Sequence, residues 1–384
     1  MTEKNKNVFV SFSSASRFKT CPTKYYLSKK YKSKLTPSAL PLGKAIEVGV
    51  VKLLLGETLE IALEAFEKLW TDEEVSPGQT RPIFDNSEVE FYASDFDKNL
   101  IFGEAQQVVE DWSTELLGDN DENWQETFES IALRLKNQND GVNPAELQFH
   151  NRVIWLCCLI RGQTMLEAFQ RKELANFKVY VQKDGKPAVQ KEITMENAEG
   201  DKVIGFIDFI LYHKDYKEPI TTDLKTAAYP YPQHALETSE QLRTYVAAVG
   251  EEIESTRAGY LVLIKKIRVE RSCDNCGADR EGMAKNCKSC KKGQYTVPKL
   301  DADIQFITKN YAQEEVEDLL EDYMNVTVAI KNEVNFKNPS NCNQYNRKCE
   351  FYDICWKRKS VEQVSHLEEK KPLTVVVESD TNEN

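Results

Sequence analysis

The pattern of apolar and polar residues along the chain changes near residue 177. Before it, stretches such as "PLGKAIEVGVVKLLLG" (41–56) repeat apolar residues every three or four positions, as one face of a helix does. A Ser-rich start leads into a basic, aromatic stretch that predicts a helix over 11–32. Residues 59–172 are also mostly helical in pattern, so we expect the first half of the chain to be helical.

After residue 177 the pattern favours strands. Four β-prone runs are separated by Gly, Pro or charged turns, and a helix, two more strands and a last helix follow. The four runs are "KVYVQKD" (178–184), "AVQKEITME" (188–196), "KVIGFIDFILY" (202–212) and "EPITTDLKT" (218–226). The later elements are a helix over 236–252, strands over 258–271 and 294–308, and a helix over 312–334. This order predicts a mixed α/β core with a helical region packed beside it.

We predict that the chain is divided into five segments, the last of which is a disordered acidic tail. They are N-terminal helices (1–56), an acidic helical region (57–175), a core (176–335) with an insert at 272–293, a cysteine triplet (336–358) and the tail (359–384).

The length and hydropathy of the chain limit its class. Its 384 residues suffice for one large domain or two ordinary ones. It contains no run of 18 apolar residues and its N-terminus lacks the apolar stretch of a secretory signal. We therefore expect an intracellular, cytoplasmic protein without a membrane partner, or one acting in an infected host cell if the source is viral.

Charge is distributed unevenly along the chain. The net charge is −12, yet residues 1–35 carry nine Lys or Arg against one Glu, and 261–299 carry ten against four acids. Residues 57–146 hold 23 acids and five Lys or Arg. Such asymmetry can form a basic groove for nucleic acid on an acidic body, although lysine-rich stretches are also ordinary solvated surface.

The run "PITTDLKTAAYP" (219–230) places Asp223 and Lys225 two positions apart, on one face of a strand. Asp208 lies in the apolar strand "VIGFIDFILYH". If the two strands pair like a hairpin, both carboxylates converge and can bind Mg²⁺ or Mn²⁺, with Lys225 serving phosphodiester hydrolysis. A buried ion pair among these three residues is the alternative.

The helix after Asp223 contains "QLRTY", which puts Gln241 and Tyr245 on one helical face. Together, "GFID", "TTDLKT" and "QLRTY" resemble the PD-(D/E)XK nuclease superfamily, in particular its RecB-like branch. The resemblance implies a restriction-endonuclease-like mixed sheet flanked by helices. It also implies that Asp208, Asp223 and the Leu224 carbonyl hold the metal, that Lys225 assists the attacking water, and that Gln241 and Tyr245 support the site and contact DNA.

The family often places a further metal ligand, a His, in an upstream G-x-x-x-H helix. The matching position in "LGKAIEVGV" is Glu47, four residues after Gly43, and we expect it to be a metal ligand. An exposed helical Glu is the alternative. Glu192 is a weaker candidate for the same neighbourhood.

Ten cysteines in an intracellular chain point to metal or redox chemistry, and Cys157 and Cys158 alone lie in a plain apolar run. Cys342, Cys349 and Cys355 form a C-terminal triplet that needs a fourth thiolate. The pattern with Cys21 in "FKTCPTKYYLSKKY" resembles the iron–sulfur RecB-like nucleases, including AddB-type exonucleases and CRISPR-adaptation nucleases. It implies a 4Fe–4S cluster held by those four residues, and a Cys₄ zinc site would use the same ligands.

The remaining cysteines form two C-x2-C pairs that are typical of a tetrahedral Zn²⁺ site. They are Cys273, Cys276, Cys287 and Cys290. Because this segment interrupts two strands, we predict a zinc ribbon at the tip of a β-hairpin. Its lysines suggest contact with DNA or a partner, and tying off a long hairpin is the simpler role.

These observations predict a Mg²⁺- or Mn²⁺-dependent deoxyribonuclease, most simply an exonuclease that acts on single strands or duplex ends in DNA recombination, repair or replication. A helicase or recombinase is a candidate partner. A non-catalytic DNA-binding or assembly module with a nuclease fold is the alternative, and an iron–sulfur redox protein is a second one.

Overall fold

The computed structural model describes residues 8–76, 79–86, 88–118, 123–137, 141–280, 284–344 and 347–370. In these ranges the chain forms eleven α-helices: α1 (Phe12–Thr20), α2 (Pro22–Lys30), α3 (Ala39–Leu54), α4 (Leu59–Thr71), α5 (Glu104–Leu117), α6 (Trp124–Lys136), α7 (Pro144–Lys172), α8 (His234–Glu237), α9 (Glu240–Ile253), α10 (Gln313–Lys331) and α11 (Tyr352–Cys355).

The same ranges contain seventeen β-strands: β1 (Phe9–Ser11), β2 (Tyr31–Ser33), β3 (Thr36–Pro37), β4 (Asp72–Ser76), β5 (Gln79–Pro82), β6 (Val89–Glu90), β7 (Phe177–Val179), β8 (Val189–Glu196), β9 (Lys202–His213), β10 (Ile220–Ala227), β11 (Arg257–Ile264), β12 (Arg268–Cys273), β13 (Tyr295–Asp301), β14 (Ile304–Asn310), β15 (Asn343–Gln344), β16 (Arg347–Lys348) and β17 (Leu367–Glu369).

The chain divides into two compact units. Unit 1 comprises the described residues of Met1–Leu35, Glu196–Val203 and Glu321–Asn384, and unit 2 comprises those of Thr36–Met195 and Ile204–Leu320. None of the described helices is long and apolar enough to cross a membrane.

A mixed sheet forms the centre of unit 2. Its strands pair in the order β9, β10, β11, β14, and β7 and β8 pair with β9. Strands β9 and β10 are antiparallel, with Thr222 opposite Phe209, whereas β10 and β11 are parallel, with Asp223 opposite Tyr260. Helix α9 makes the crossover that a parallel pair requires. The predicted hairpin-like pairing of the strands that carry Asp208 and Asp223 is confirmed.

Both faces of this sheet are covered. Successive side chains of a strand point to opposite faces, so Leu261 and Leu263 of β11 join the core formed with α3 to α7. Tyr260 and Val262 point the other way, into a second core with Val246 of α9. Burial on both faces explains why β11 reads as a continuous apolar run. The predicted mixed sheet flanked by helices is confirmed.

Helix α7 is the longest described helix of the helical region. It begins with a capping box in which Asn143 and Glu146 satisfy each other's backbone N–H groups, and Pro144 occupies its first turn. Cys157 and Cys158 are buried in its middle, as expected for plain core residues.

A long hairpin interrupts the chain between β11 and its neighbour β14. Its strands, β12 and β13, pair antiparallel and form a separate two-stranded sheet. The sequence pattern predicted one strand over 258–271, but the structure breaks it at residues 265–267, where the chain leaves the central sheet.

Order in unit 1 extends past residue 359, where the tail was predicted to begin. Strand β17 pairs with β2, and Leu367 and Val364 pack with Phe351 in a small core. These apolar side chains explain why the segment is ordered, and residues 371–384 of the predicted tail lie outside the described residues.

Candidate active site and cysteine sites

Asp223 and Lys225 lie together on β10. The side chain of Asp223 is 2% exposed and that of Lys225 is 31% exposed, and Lys225 Nζ lies 2.6 Å from Asp223 Oδ2. The carboxylate is therefore inside the protein while the ammonium group reaches its surface. A buried acid is tolerated here because a cation faces it directly.

Helix α9 surrounds the other carboxylate oxygen with donors. Tyr245 OH donates to Asp223 Oδ1 over 3.0 Å, and Gln241 Nε2 donates to the same oxygen and, over 2.7 Å, to Tyr245 OH. Lys225 Nζ donates to Gln241 Oε1 at 3.1 Å. The four side chains form one hydrogen-bonded network, and Gln241 fixes both the acid and the base.

Asp208 joins the site where the β9–β10 ladder stops. Backbone pairing ends at Thr222 and Phe209. Beyond that point Asp208 Oδ2 accepts the Leu224 N–H over 2.8 Å, in place of a backbone partner. Asp208 and Asp223 thus converge, as the sequence predicted, and Leu224 lies at the point where they meet. The predicted role of its carbonyl as a ligand stays a prediction.

The carboxyl groups perturb one another's protonation. Burial, followed by repulsion from Asp223, raises the pKa of Asp208 to about 7. Burial also raises the pKa of Asp223, although Lys225 opposes this. Burial lowers the pKa of Lys225, but attraction to Asp223 and Asp208 outweighs it, so the pKa is raised overall. The site holds an excess of buried negative charge that a cation would neutralise.

The surroundings of Asp223 Oδ2 indicate whether a metal ion fits the site. Asp223 Oδ2 is buried and, although Lys225 Nζ is close, it accepts no hydrogen bond of good geometry from any described residue. A buried carboxylate oxygen that faces only the Lys225 ammonium group, with a second carboxylate beside it, belongs to the oxygen donor set that Mg²⁺ and Mn²⁺ prefer. The residues present fit such an ion.

Glu47 lies on α3, and repulsion from Asp223, after burial, raises its pKa. The helix packs against β10, because a Cβ on Gly43 would lie 3.9 Å from Thr226 Oγ1. The structure therefore brings Glu47 towards the site, where its carboxylate accepts a hydrogen bond from Gln190 Nε2. Glu192, the weaker candidate, is exposed on β8.

The three carboxylates do not form a tight cage. Among the described residues, only the four cysteines of the β12–β13 hairpin bring three or more such ligand atoms within 4.8 Å of one another. The carboxylate oxygens of Asp208, Asp223 and Glu47 are therefore more widely spaced than the hairpin sulfurs.

Sequence reasoning missed two residues at the site. Gln190 contacts Glu47 and has a left-handed backbone, with φ of 51°, a conformation that costs free energy and that clusters at functional sites. Tyr260 lies opposite Asp223, its ring is 5.9 Å from Lys225 Nζ, and its OH is 2.6 Å from Ser239 Oγ. No sequence signal marks Gln190, whereas the strand register after α9 could have found Tyr260.

The hairpin cysteines are arranged for one tetrahedral ion. Cys273 Sγ and Cys290 Sγ lie 3.7 Å apart, and Cys276 Sγ and Cys287 Sγ lie 3.5 Å apart. Four thiolates at about 2.3 Å from Zn²⁺ would be about 3.8 Å from one another. Gly293 is required beside them, because an added Cβ would lie 2.5 Å from Cys273 Sγ.

Hydrogen bonds from backbone N–H groups lower the pKa values of some of these thiols. Donation from the backbone of Lys292, then of Gly293, lowers the pKa of Cys290 to about 6. The Ala278 N–H lowers the pKa of Cys276, but hydrogen bonds with Cys290 and Cys287 raise it overall to about 12. Some thiols are thus ready to ionise, and a metal would displace the proton that the others share.

The second cysteine set lies in unit 1. Cys21 follows α1, and it lines one pocket with Cys342, Cys349 and Cys355. Thr20 O, beside Cys21, accepts hydrogen bonds from Asn338 and Asn341. The sequence analysis grouped these four residues although Cys21 lies more than 300 positions from the others. The structure places all four around one pocket. Their sulfurs are more widely spaced than those of the hairpin set.

Comparison with protein families supplies the identity. The family model of the PD-(D/E)XK nuclease superfamily matches residues 10–356. Comparison with curated protein sequences gave no significant match. The match spans both Asp208 and the D-L-K run of β10, together with most of the described chain. The chain therefore belongs to the PD-(D/E)XK nuclease superfamily.

Proposed function

We propose that the protein is a Mg²⁺- or Mn²⁺-dependent deoxyribonuclease of the RecB-like branch. The observation that carries this proposal is the buried Asp223 carboxylate, which keeps one oxygen without a well-directed donor while Lys225, Gln241 and Tyr245 fix the rest of the group. Members of this superfamily are generally metal-dependent nucleases, and DNA is the substrate that the fold implies.

Asp223 and Asp208 would hold the metal ion, and Glu47 and the Leu224 carbonyl are the further proposed ligands. When bound, such an ion lowers the pKa of water and stabilises charge on a phosphate oxygen.

The chain's own residues position the reactants. Lys225, held between Asp223 and Gln241, presents an ammonium group at the protein surface, where it can orient water or stabilise a phosphate oxygen. Burial lowers the pKa of Lys225, but attraction to Asp223 and Asp208 raises it overall, which favours the ammonium form that donates hydrogen bonds. Tyr245, whose pKa is raised by burial, acts as a neutral donor.

The two cysteine sets are proposed to hold different groups. The sulfur spacing in the β12–β13 hairpin suits one Zn²⁺ ion. The pocket lined by Cys21, Cys342, Cys349 and Cys355 suits a larger group, because those sulfurs are too far apart for one ion. We propose a 4Fe–4S cluster there, with a structural role that ties the N-terminal and C-terminal segments of unit 1 together.

The branch resemblance supports exonuclease action on single strands or duplex ends, cytoplasmic work in recombination, repair or replication, and a helicase or recombinase as partner. A cleavage assay tests this. The purified chain, with Mg²⁺ or Mn²⁺, should degrade linear single- and double-stranded DNA and spare closed circles. Cleavage of circles would show an endonuclease, and binding without cleavage in either metal would favour the non-catalytic assembly module.

A further inference from the structure

The β12–β13 hairpin carries a concentration of cations that the active site does not use. We call the segment 268–301 the arm. Five exposed cations of its outer part have no ion-pair partner among the described residues. They are Arg271, Arg280, Lys285, Lys291 and Lys292.

The acids of the arm that the structure describes are already engaged. Asp279 pairs with Lys299 at 2.7 Å, and Glu270 lies 3.8 Å from Arg268. Asp274 accepts the Gln294 N–H at 2.8 Å. The positive charge of the arm is therefore available to an external anion.

The base of the arm is anchored to the helical region of unit 2. Asp301, at the end of β13, is 5% exposed. It accepts hydrogen bonds from Lys172 over 2.6 Å, from Arg268 over 2.8 Å and from Arg171. A buried acid on β13 that bonds to α7 and to Arg268 of β12 fixes the base of the arm. A fixed base reduces the entropic cost of binding.

The arm leaves the central sheet close to the site. On β10 and β11, Lys225 pairs with Val262 and Ala227 with Ile264. Strand β11 ends at Ile264, and β12 begins four residues later, at Arg268. The six residues of β12 extend about 20 Å. Between the two lies Tyr229, which is 69% exposed and has Lys266 Nζ 5.9 Å from its ring centroid. An exposed aromatic ring and a cation suit a nucleotide on the path from the site to the arm.

We propose that the arm binds the phosphate backbone of the DNA whose scissile bond occupies the active site, at a distance from that bond. This inference rests on the proposed nuclease function and adds where the substrate is held. Three lysines and two arginines on a fixed projection complement a polyanion that carries a charge about every 1.7 Å. The four cysteines would then serve to fold the tip that presents these cations.

The experiment compares two triple variants of the full chain. The arm variant is Lys285→Gln, Lys291→Asn and Lys292→Gln, in which Asn suits the left-handed backbone of Lys291. The control is Lys68→Gln, Lys98→Gln and Lys136→Gln, which removes the same charge from exposed lysines of the helical region. Binding to a labelled duplex of about 30 base pairs is measured over a range of salt concentrations without divalent metal.

We expect the arm variant to raise the Kd at least about tenfold and to reduce the salt slope by about two to three, since each phosphate contact contributes about 0.9. The control should change the Kd less than about twofold. Cleavage of an oligonucleotide of about six nucleotides, too short to reach the arm, should be unchanged in both variants. Unaltered Kd and slope, or equal losses in both variants, would overturn the inference.

Two further measurements keep the result interpretable. Metal content and melting temperature should match the wild type. If the triple variant fails to fold, the double variant Arg271→Gln and Arg280→Gln, which lies outside the second cysteine pair, should show the same loss of duplex binding. If the unmodified chain cleaves no DNA but the arm variant still loses binding, the nuclease proposal fails and only the binding of DNA by the arm stands.

Discussion

At the scale of single residues, the free-energy cost of burying a carboxylate at the site is offset by nearby charges and hydrogen-bond donors. Asp223 is almost fully buried and would be costly as an isolated anion. Lys225 and the donors Gln241 and Tyr245 offset that cost but leave Oδ2 without a well-directed hydrogen bond. Oδ2 therefore depends on Lys225 alone, and a second buried carboxylate, Asp208, adds negative charge beside it, which is the physical reason to favour the catalytic interpretation.

Gln241 is the residue whose positioning role can be tested most cleanly. It contacts Asp223, Lys225 and Tyr245 at once. Gln241→Ala should lower kcat about 10–100-fold while KM changes less than about threefold, because the group aligns the acid and the base without holding most of the DNA. Steady-state kinetics on labelled DNA measure this.

The matched control is Gln107→Ala, on the exposed face of α5. It should leave both constants unchanged. A Gln241→Ala enzyme with normal kcat would show that the network around Asp223 is structural.

The sequence identified the motif residues of the site but not every contact that surrounds them. Local spacing predicted that Asp223 and Lys225 share one strand face and that Gln241 and Tyr245 share one helical face, and the family resemblance implied that the two pairs form one site. Gln190 contacts Glu47 across 143 positions through an unusual backbone angle. Such a contact depends on how β8 approaches α3, which no local pattern encodes.

At the scale of elements, the strand that leads into the arm differs most from the prediction, because the structure has two strands where one was predicted. Alternation predicted one strand over 258–271, because residues on both sides of 265–267 have strand-like composition. The break follows from tertiary structure: β11 is buried between two cores, whereas β12 is largely exposed. Periodicity does not distinguish one long strand from two consecutive ones.

The anchor at the base of the arm predicts a dependence of stability on pH. Burial raises the pKa of Asp301, but Lys172 and Arg268 lower it overall. A lowered folded-state pKa contributes stability that is present above the unfolded value of about 3.9 and is lost as pH falls through the folded value. Asp301→Asn should therefore reduce the free energy of unfolding at pH 7 by about 1–3 kcal/mol.

Urea titrations from about pH 7 to pH 3 measure this, and the difference between wild type and variant should shrink towards the acid end. Asp303→Asn is the control, because its carboxylate is 48% exposed and pairs with Arg268 at the surface; its effect should be below about 1 kcal/mol. A constant difference across this range would contradict the assignment of a charged, anchoring Asp301.

At the scale of the whole molecule, the ten cysteines separate by environment. Cys157 and Cys158 are buried core residues whose pKa values burial raises, to about 11 and about 12, so they stay protonated. The other eight form one set in each unit, with tight sulfur spacing in unit 2 and wider spacing in unit 1. The two sets should therefore take different metals.

Metal analysis of two variants tests that separation. Cys287→Ser should lose zinc and keep iron, and Cys21→Ser should lose iron and its visible absorbance and keep zinc. Each variant is the control for the other. Elemental analysis and an anaerobic absorption spectrum measure both metals, and zinc alone in both sets would refute the iron–sulfur assignment.

The most direct test of the central claim is the cleavage of DNA by Asp223→Asn, an exchange of nearly equal volume at the buried carboxylate. We predict that this variant loses at least about a thousandfold in cleavage rate with Mg²⁺ or Mn²⁺, while its affinity for DNA measured without metal stays within about threefold of wild type. Asp215→Asn, at an exposed turn after β9, should retain full activity. An Asp223→Asn protein that cleaves DNA as fast as the wild type would contradict the account.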